Sequence, residues 1–396
     1  MNGKRKGSFL EVKVKMKAFP WTIWLAALAI LCAGCSFSAP DESGEGMGTP
    51  SSELEPALAN GIPYTIETLA ENLDVPWEMA FAPDGRIFLT ERSGQIRIIK
   101  DDQLLEAPAY TFEEPFITRS EGGLLGLAID PDFSSNAYVY AYHTYEENGE
   151  IANRIVRLLA DGDELTMDKV LLEGIPGSNN HNGGRMRFGP DHYLYVTTGD
   201  RYEPELAQDM ESLGGKILRM TADGGIPESN PYAGSLVYSL GHRNAQGLAW
   251  HPHTGQLFSS EHGQSAKDEI NLIKPGANYG WPLIEGYETK KGLESPIAHS
   301  GSETWAPSGM TFVSEGPWEG KLLIGNLRGT QVLLVSFTEG DPAQVASIEK
   351  LWEDEWGRIR NVTEGPDGSL YILTNNRDGR GQPREGDDRI IRLIPE

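Results

Sequence analysis

Cysteine is nearly absent: the 396 residues contain two, Cys32 and Cys35, both close to the N-terminus. Cleavage ahead of Cys35 would leave one, excluding an internal disulfide, a thiolate metal site and a cysteine nucleophile from the rest of the chain. The Cys32-x-x-Cys35 spacing of a redox pair falls inside an apolar export segment, where it carries little weight. Positive charge is also scarce, with 34 Lys and Arg against 58 Asp and Glu, a formal charge of −24. Such a chain repels phosphate backbones, so nucleic acid is not an expected partner. Long 3.6-residue apolar periods are missing, which argues against a helical bundle. One long apolar run is present, Phe19 to Gly34, and it is too short for a comfortable membrane span.

That run follows six bases, Lys4, Arg5, Lys6, Lys13, Lys15 and Lys17, set against one acid, Glu11, which is the pattern of a secretory signal. It ends in Leu31-Cys32-Ala33-Gly34-Cys35, with small residues before a cysteine as at a bacterial lipoprotein cleavage site. Residues 1–34 therefore read as a lipoprotein signal peptide and Cys35 as the lipidated residue, held at the outer side of the bacterial cell membrane by lipid alone. Cys32 stands where Leu is usual, with Leu31 one place earlier, and ordinary signal cleavage or an uncleaved anchor are the alternatives. Loss of residues 1–34 leaves 28 bases against 57 acids, a charge of −29. Residues 35–60, rich in Ser, Gly, Pro and Glu, read as a flexible tether.

What the chain has in abundance is turn residues, 46 Gly and 25 Pro, between short alternating apolar stretches. One phrase recurs: an alternating stretch, a Pro-Asp-Gly-like turn, and a second stretch. The copies are WEMAFAPDGRIFLTE from Trp77, GLAIDPDFSSNAYVYAYH from Gly126, RMRFGPDHYLYVTTGD from Arg185, GLAWHPHTGQLFSSEHG from Gly247, GMTFVSEGPWEGKLLIGNL from Gly309 and RNVTEGPDGSLYILTNN from Arg360. Their turn prolines, Pro83, Pro131, Pro190, Pro252, Pro317 and Pro366, lie 48, 59, 62, 65 and 49 residues apart. Six copies at that period, with third strands such as RIVRLL and KILRM, predict an all-β, six-bladed β-propeller over residues 61–396. The last unit supplies strands near Arg360–Glu364, Ser369–Thr374 and Arg389–Ile394, and Tyr64–Leu69 is expected to complete it and close the ring. A pair of β-sandwiches is the alternative.

In a propeller the residues beside each repeat's first strand converge on one mouth of the central channel. Those segments here are Arg119–Gly123, Asn179–Arg185, Gly241–Gly247, Asn326–Gly329 and Arg358–Arg360. In so acidic a protein, Arg243, Arg328, Arg358 and Arg360 would form a local positive pocket suited to an anionic cofactor, unless each only pairs with a surface acid. His181 and His242 are the candidate bases. His242 adjoins Arg243, and neighbours in an extended chain point to opposite sides, which favours His181.

The segments EGGLLGLAIDPDF (Glu121–Phe133), HNGGRMRFGPD (His181–Asp191), LGHRNAQGLAWHP (Leu240–Pro252), DEINLIKPGANYGWP (Asp268–Pro282) and RIRNVTEGPDG (Arg358–Gly368) resemble, in order, those of the soluble quinone-dependent glucose/sorbosone dehydrogenase family. The resemblance spans roughly residues 64–394. It implies a propeller holding pyrroloquinoline quinone (PQQ) and calcium at the channel mouth and oxidising a sugar or related alcohol, with an unnamed electron acceptor. By position, His181 would be the general base for hydride transfer and Arg243 would polarise the oxygen at carbon-5 of the quinone. Glu121, Asn244, Thr304, Arg328, Arg358 and Arg360 match cofactor-contacting positions. The carbonyls of Gly263 and Gln264 would hold the cofactor's calcium, and the Glu269 side chain with the Tyr279 carbonyl a second, structural one.

Three positions depart from the glucose enzyme's pattern. Arg328 replaces Lys and keeps the charge; Glu121 replaces Gln and adds a negative charge; Asn180 replaces a substrate-binding Asp and puts glucose itself in doubt. Two other readings stay open. A metal-dependent sugar lactonase on the same scaffold would gather Glu, Asn and Asp around one axial metal, and a lipid-anchored binding propeller would have kept the scaffold without the chemistry.

Overall fold

The computed structural model describes residues 61–396. The signal peptide, the Cys35 lipidation site and the tether lie outside the described residues. Six antiparallel meanders follow one another along the chain, each a blade of four or five strands. The innermost strands are Pro76–Phe81 (blade I), Leu124–Ile129 (II), Met186–Phe188 (III), Ala245–Trp250 (IV), Pro307–Phe312 (V) and Ile359–Glu364 (VI). Each is the first alternating stretch of a sequence repeat, and each is followed by its turn and second strand. The turns need left-handed backbone: Gly85 takes φ +89° and Gly368 φ +75°, while His192 takes the same region at φ +62° in blade III.

The last blade is composite. Ile359–Glu364, Leu370–Thr374 and Ile390–Pro395 are joined by Tyr64–Ala70, registered from Tyr64 opposite Pro395 to Ala70 opposite Ile390. The expected closing strand is thus in place, and the first and last strands of the fold pair with each other instead of presenting free edges. Helix is confined to one short α-helical segment, Phe133–Asn136, and one 3-10 turn, Pro204–Ala207, among the described residues.

Apolar side chains pack between blades. Leu125, Tyr140 and Tyr142 of blade II meet Met186, Leu194 and Val196 of blade III, for example, in one buried cluster. Burial of each such side chain contributes roughly 1.5–3 kcal/mol. The inner strands meet more tightly. A Cβ on Gly126 would lie 2.1 Å from the Gly184 carbonyl oxygen, one on Gly247 2.4 Å from that of Ser308, and one on Gly309 1.7 Å from Asn361 Oδ1.

In the repeat alignment these three glycines share one position with Glu78, Arg185 and Asn361. The six positions form a filled polar layer. Arg185 Nη1 donates to Glu78 Oε2, Asn361 Nδ2 donates to Glu78 Oε1, and Arg185 Nε donates to the Gln246 carbonyl at 2.7 Å. The Arg185 guanidinium also lies 4.1 Å from the Trp77 ring centroid. Three small residues make room for three large ones, and the ring centre is packed at this level.

Candidate active site

Above that layer the blades open into a cavity of about 340 Å³, walled by residues from five of the six blade entries. Two kinds of loop reach it: those entering each first strand, and those joining the second and third strands. In an antiparallel meander both lie at the same end of the blade. The first kind supplies Glu121, His181, Arg243, Arg358 and, from the first strand itself, Arg360, which were legible in the repeats, and Thr304, which only the resemblance pointed to. Asn326–Gly329, expected beside a first strand, instead follows the second strand of blade V, because Leu322–Asn326 is that blade's second strand. The second kind supplies Tyr202, His262, Gly263, Gln264, Asp268, Arg328 and Arg380. Tyr202, His262, Asp268 and Arg380 were missed by sequence reasoning, and the position of these loops one strand after each repeat's turn is the signal that could have found them.

His181 sits in left-handed backbone at φ +57°, is 5 % exposed and has its ring tilted over Tyr202 at 3.8 Å between centroids. Its Nδ1 lies 2.7 Å from Asp200 Oδ1. Asp200 is anchored in turn by the Tyr202 backbone N–H on Oδ1 and the Trp281 indole N–H on Oδ2, each at 2.9 Å. Burial opposes the Asp200 charge, but the His181 contact and these donors outweigh it and hold its carboxyl below the usual range. An ionised partner on Nδ1 fixes that nitrogen as N–H and leaves Nε2 as the basic nitrogen at the cavity wall.

His242 has no such freedom. It is fully buried, with Nε2 2.9 Å from Ser239 Oγ, Nδ1 2.8 Å from Glu261 Oε2, and its ring stacked on Tyr279. Both nitrogens are committed and neither reaches the cavity. The preference for His181 over His242 therefore has a geometric reason.

The arginines differ among themselves. Arg358 is ion-paired, donating from Nε and Nη2 to Asp378 Oδ2 at 3.0 and 2.7 Å. Arg243, Arg328 and Arg360 have no carboxylate within ion-pair distance among the described residues. Arg243 donates to the His262 carbonyl at 3.3 Å and lies 5.3 Å from the Trp281 ring centroid. Arg360 is held by neutral acceptors, Gln246 Oε1 at 2.7 Å and Asn375 Oδ1 at 3.0 Å. Burial pushes the Arg360 guanidinium down to about 9, Asp378 opposing and the nearby Arg358, Arg92 and Arg185 adding to the shift. It remains a cation at neutral pH, in surroundings that an added anion would relieve.

Three predicted residues stand apart from the cavity wall. Asn244 is fully buried behind it, accepting the Gly183 N–H at 3.1 Å and lying 3.4 Å from His262 Nδ1. Glu269 and Tyr279 line a separate small cavity of about 20 Å³ with Glu261 and Glu285. Burial and the neighbouring Glu261 push the Glu269 carboxyl up to about 8, although Gly286 N–H and Asn271 donate to it. No group of three or more Cys, His, Asp or Glu side chains is arranged for a metal among the described residues. On the wall, Thr304 donates to the Ser265 carbonyl at 2.8 Å. The axial place where a lactonase would hold a metal between carboxylate and amide is taken by the Arg185 guanidinium beside Glu78 and Asn361.

The glucose/sorbosone dehydrogenase family description matches residues 73–391. The aldose sugar dehydrogenase YliI of Escherichia coli K12 is 33 % identical over 341 residues, covering 79 % of this chain and 91 % of that one. Quinoprotein glucose dehydrogenase B of Acinetobacter calcoaceticus is 32 % identical over 329 residues, covering 72 % and 68 % respectively. The PQQ-bound aldose sugar dehydrogenase of Streptomyces coelicolor superimposes with a TM-score of 0.76 at 39 % identity, covering 84 % of this chain and 98 % of that one.

Proposed function

The chain belongs to the glucose/sorbosone dehydrogenase family, and from that premise we propose that it is a PQQ- and calcium-dependent dehydrogenase oxidising an aldose or a related alcohol. The observation that carries this reading is the placement of the His181–Asp200 pair beside Arg243, Arg328 and Arg360, three cations without acidic partners among the described residues. That chemistry fits PQQ: a tricarboxylate needs several fixed cations, and burying its charges without them would be prohibitive. Bound PQQ would supply the acceptor for a hydride from the substrate carbon.

The chain's own residues would do the rest. His181 Nε2 would take the proton of the reacting hydroxyl, and Asp200 would stabilise the resulting imidazolium and fix the ring's orientation. Arg243, backed by the Trp281 face, would hold a fixed positive charge against the quinone oxygen at carbon-5. Arg358 and Arg360 would anchor carboxylates, and Arg328, exposed at the rim, would add a third cation. Gly263 and Gln264 lie on the cavity wall, where their carbonyls suit a hard cation. The half-buried Glu269 carboxyl beside Glu261 and Tyr279 would suit a second ion, whose charge would hold it ionised. Asn180 beside the base favours a mouth that accepts several aldoses over one built for glucose.

The decisive experiment loads the apo-protein with PQQ and calcium and follows quinone reduction by a sugar panel in wild type and His181→Gln. Loss of the basic nitrogen should slow reduction by about 10²- to 10⁴-fold with the quinone still bound. Reduction at the wild-type rate would remove His181 from the mechanism. The proposed location is extracytoplasmic, anchored through lipid on Cys35. Labelled fatty acid should appear in the wild type and vanish in Cys35→Ser, and labelling that persists would end that part of the reading.

A further inference from the structure

Glu121 and Asn180, two positions that depart from the glucose enzyme, meet on one side chain. Arg380 Nη1 donates to Glu121 Oε1, and Arg380 Nη2 donates to Asn180 Oδ1 at 2.8 Å. The second Glu121 oxygen accepts the backbone N–H of His181 at 3.2 Å. Asn180 Oδ1 also accepts the Ser120 hydroxyl at 2.8 Å. One guanidinium from the blade VI loop thus ties the loop entering blade II to the loop entering blade III, across the cavity mouth.

The loop that carries it is itself held. Asp378 Oδ1 accepts the backbone N–H of Arg380 at 2.8 Å and of Gly381 at 3.2 Å, while its other oxygen takes the Arg358 guanidinium. A side chain on Gly381 would be blocked, because a Cβ there would lie 2.5 Å from the Asn376 carbonyl oxygen and 2.9 Å from Arg358 Cδ. Arg380 therefore projects from a turn whose backbone is pinned to a cavity arginine.

We propose that Arg380 is a positioning residue: by neutralising Glu121 it lets an acid stand in the anion-binding cavity, and through that acid it holds the backbone of His181. The inference rests on the proposed PQQ-binding reading of this cavity. Glu121 is the acid that requires it. The other acid on the wall, Asp268, is satisfied by backbone N–H groups of Gly263, Trp305 and Ala306. For Glu121, Arg380 is the ion-pair partner among the described residues. Burial alone would raise the Glu121 carboxyl, but the Arg380 charge and hydrogen bond, His262 and the His181 N–H together hold it below the usual range. Glu121 is then an anion at neutral pH, and without Arg380 it would face the carboxylates that the other arginines attract. Arg92, also near Glu121 and Asp378, makes its hydrogen bond to the Asp378 carbonyl and does not replace the pair.

The test is a double-substitution cycle read by spectroscopic titration of apo-protein with PQQ in the presence of calcium. Arg380→Met should weaken quinone binding by about tenfold or more, because it leaves a partly buried anion unpaired. The loss should depend on the acid, so Arg380→Met introduced into Glu121→Gln should change affinity by less than about threefold relative to Glu121→Gln itself. Arg380→Lys, which keeps the charge, should retain most of the affinity and serves if the Met variant misfolds. Wild-type protein that does not take up PQQ would overturn the functional reading itself. Normal uptake by wild type with an unaffected Arg380→Met, or with the same loss on Arg380→Met in the Glu121→Gln background as in wild type, would overturn the role of Arg380 and leave the functional reading standing.

Discussion

Two polar layers lie one above the other at the centre of this ring. In the lower one, Arg185 and Asn361 both donate to Glu78, and the charges cancel among fully or nearly fully buried side chains. In the upper one, Arg243, Arg328 and Arg360 have no acid within ion-pair distance among the described residues, and the acids that are present are already engaged by Arg380, Arg358, His181 or backbone N–H groups. The lower layer is built from one repeated position of the first strands, and the upper one mainly from the loops at their ends. Their difference teaches that charge in one scaffold can serve opposite ends: a cancelled set fills the channel, and an uncancelled set leaves its cations open at the mouth.

The largest expected effect breaks the lower layer. Arg185→Met leaves Glu78 buried and unpaired, and should cost about 3–5 kcal/mol of stability by chemical denaturation. A loss below about 1 kcal/mol would mean that the layer does not depend on its internal pairing.

A second substitution removes one charge from the upper layer without moving its atoms. Asp200→Asn keeps the reach to His181 Nδ1 but loses the charge that would balance a protonated ring, so substrate oxidation should fall by about 10²-fold or more while PQQ affinity stays unchanged. Equal turnover would show that His181 needs no ionised partner.

The smallest effect on stability is expected from the upper-layer cations themselves. Arg328→Gln removes an exposed guanidinium that has no ion pair in this structure, and should shift unfolding free energy by less than about 0.5 kcal/mol. Its effect should be confined to PQQ binding. A destabilisation approaching that of Arg185→Met would erase the distinction between the two layers.

Much of the architecture could be read without coordinates because it repeats. The six turn prolines marked six blades, the stretch at Tyr64 was identifiable as the closing strand, and the loops entering each first strand pointed to Glu121, His181, Arg243 and Arg358. Motif order was equally informative for the family. The second set of mouth loops was harder to see, since Asp200, Tyr202, His262, Asp268 and Arg380 lie in stretches without a common pattern. Asn244 was assigned to the cofactor by position, yet it serves behind the wall as a support for Gly183 and the His262 ring.

Sequence by itself determined the blade count, the closure, the acidic composition and the cationic residue types gathered at the channel mouth, because periodicity and composition are properties of the chain order. Only the tertiary structure decided which charges are answered. Glu78 and Arg185 are 107 residues apart, and Glu121 and Arg380 are 259 apart. Whether an acid cancels an arginine or leaves it free depends on distances of a few ångströms between blades. Closure of the ring sets those distances, and no local pattern encodes them.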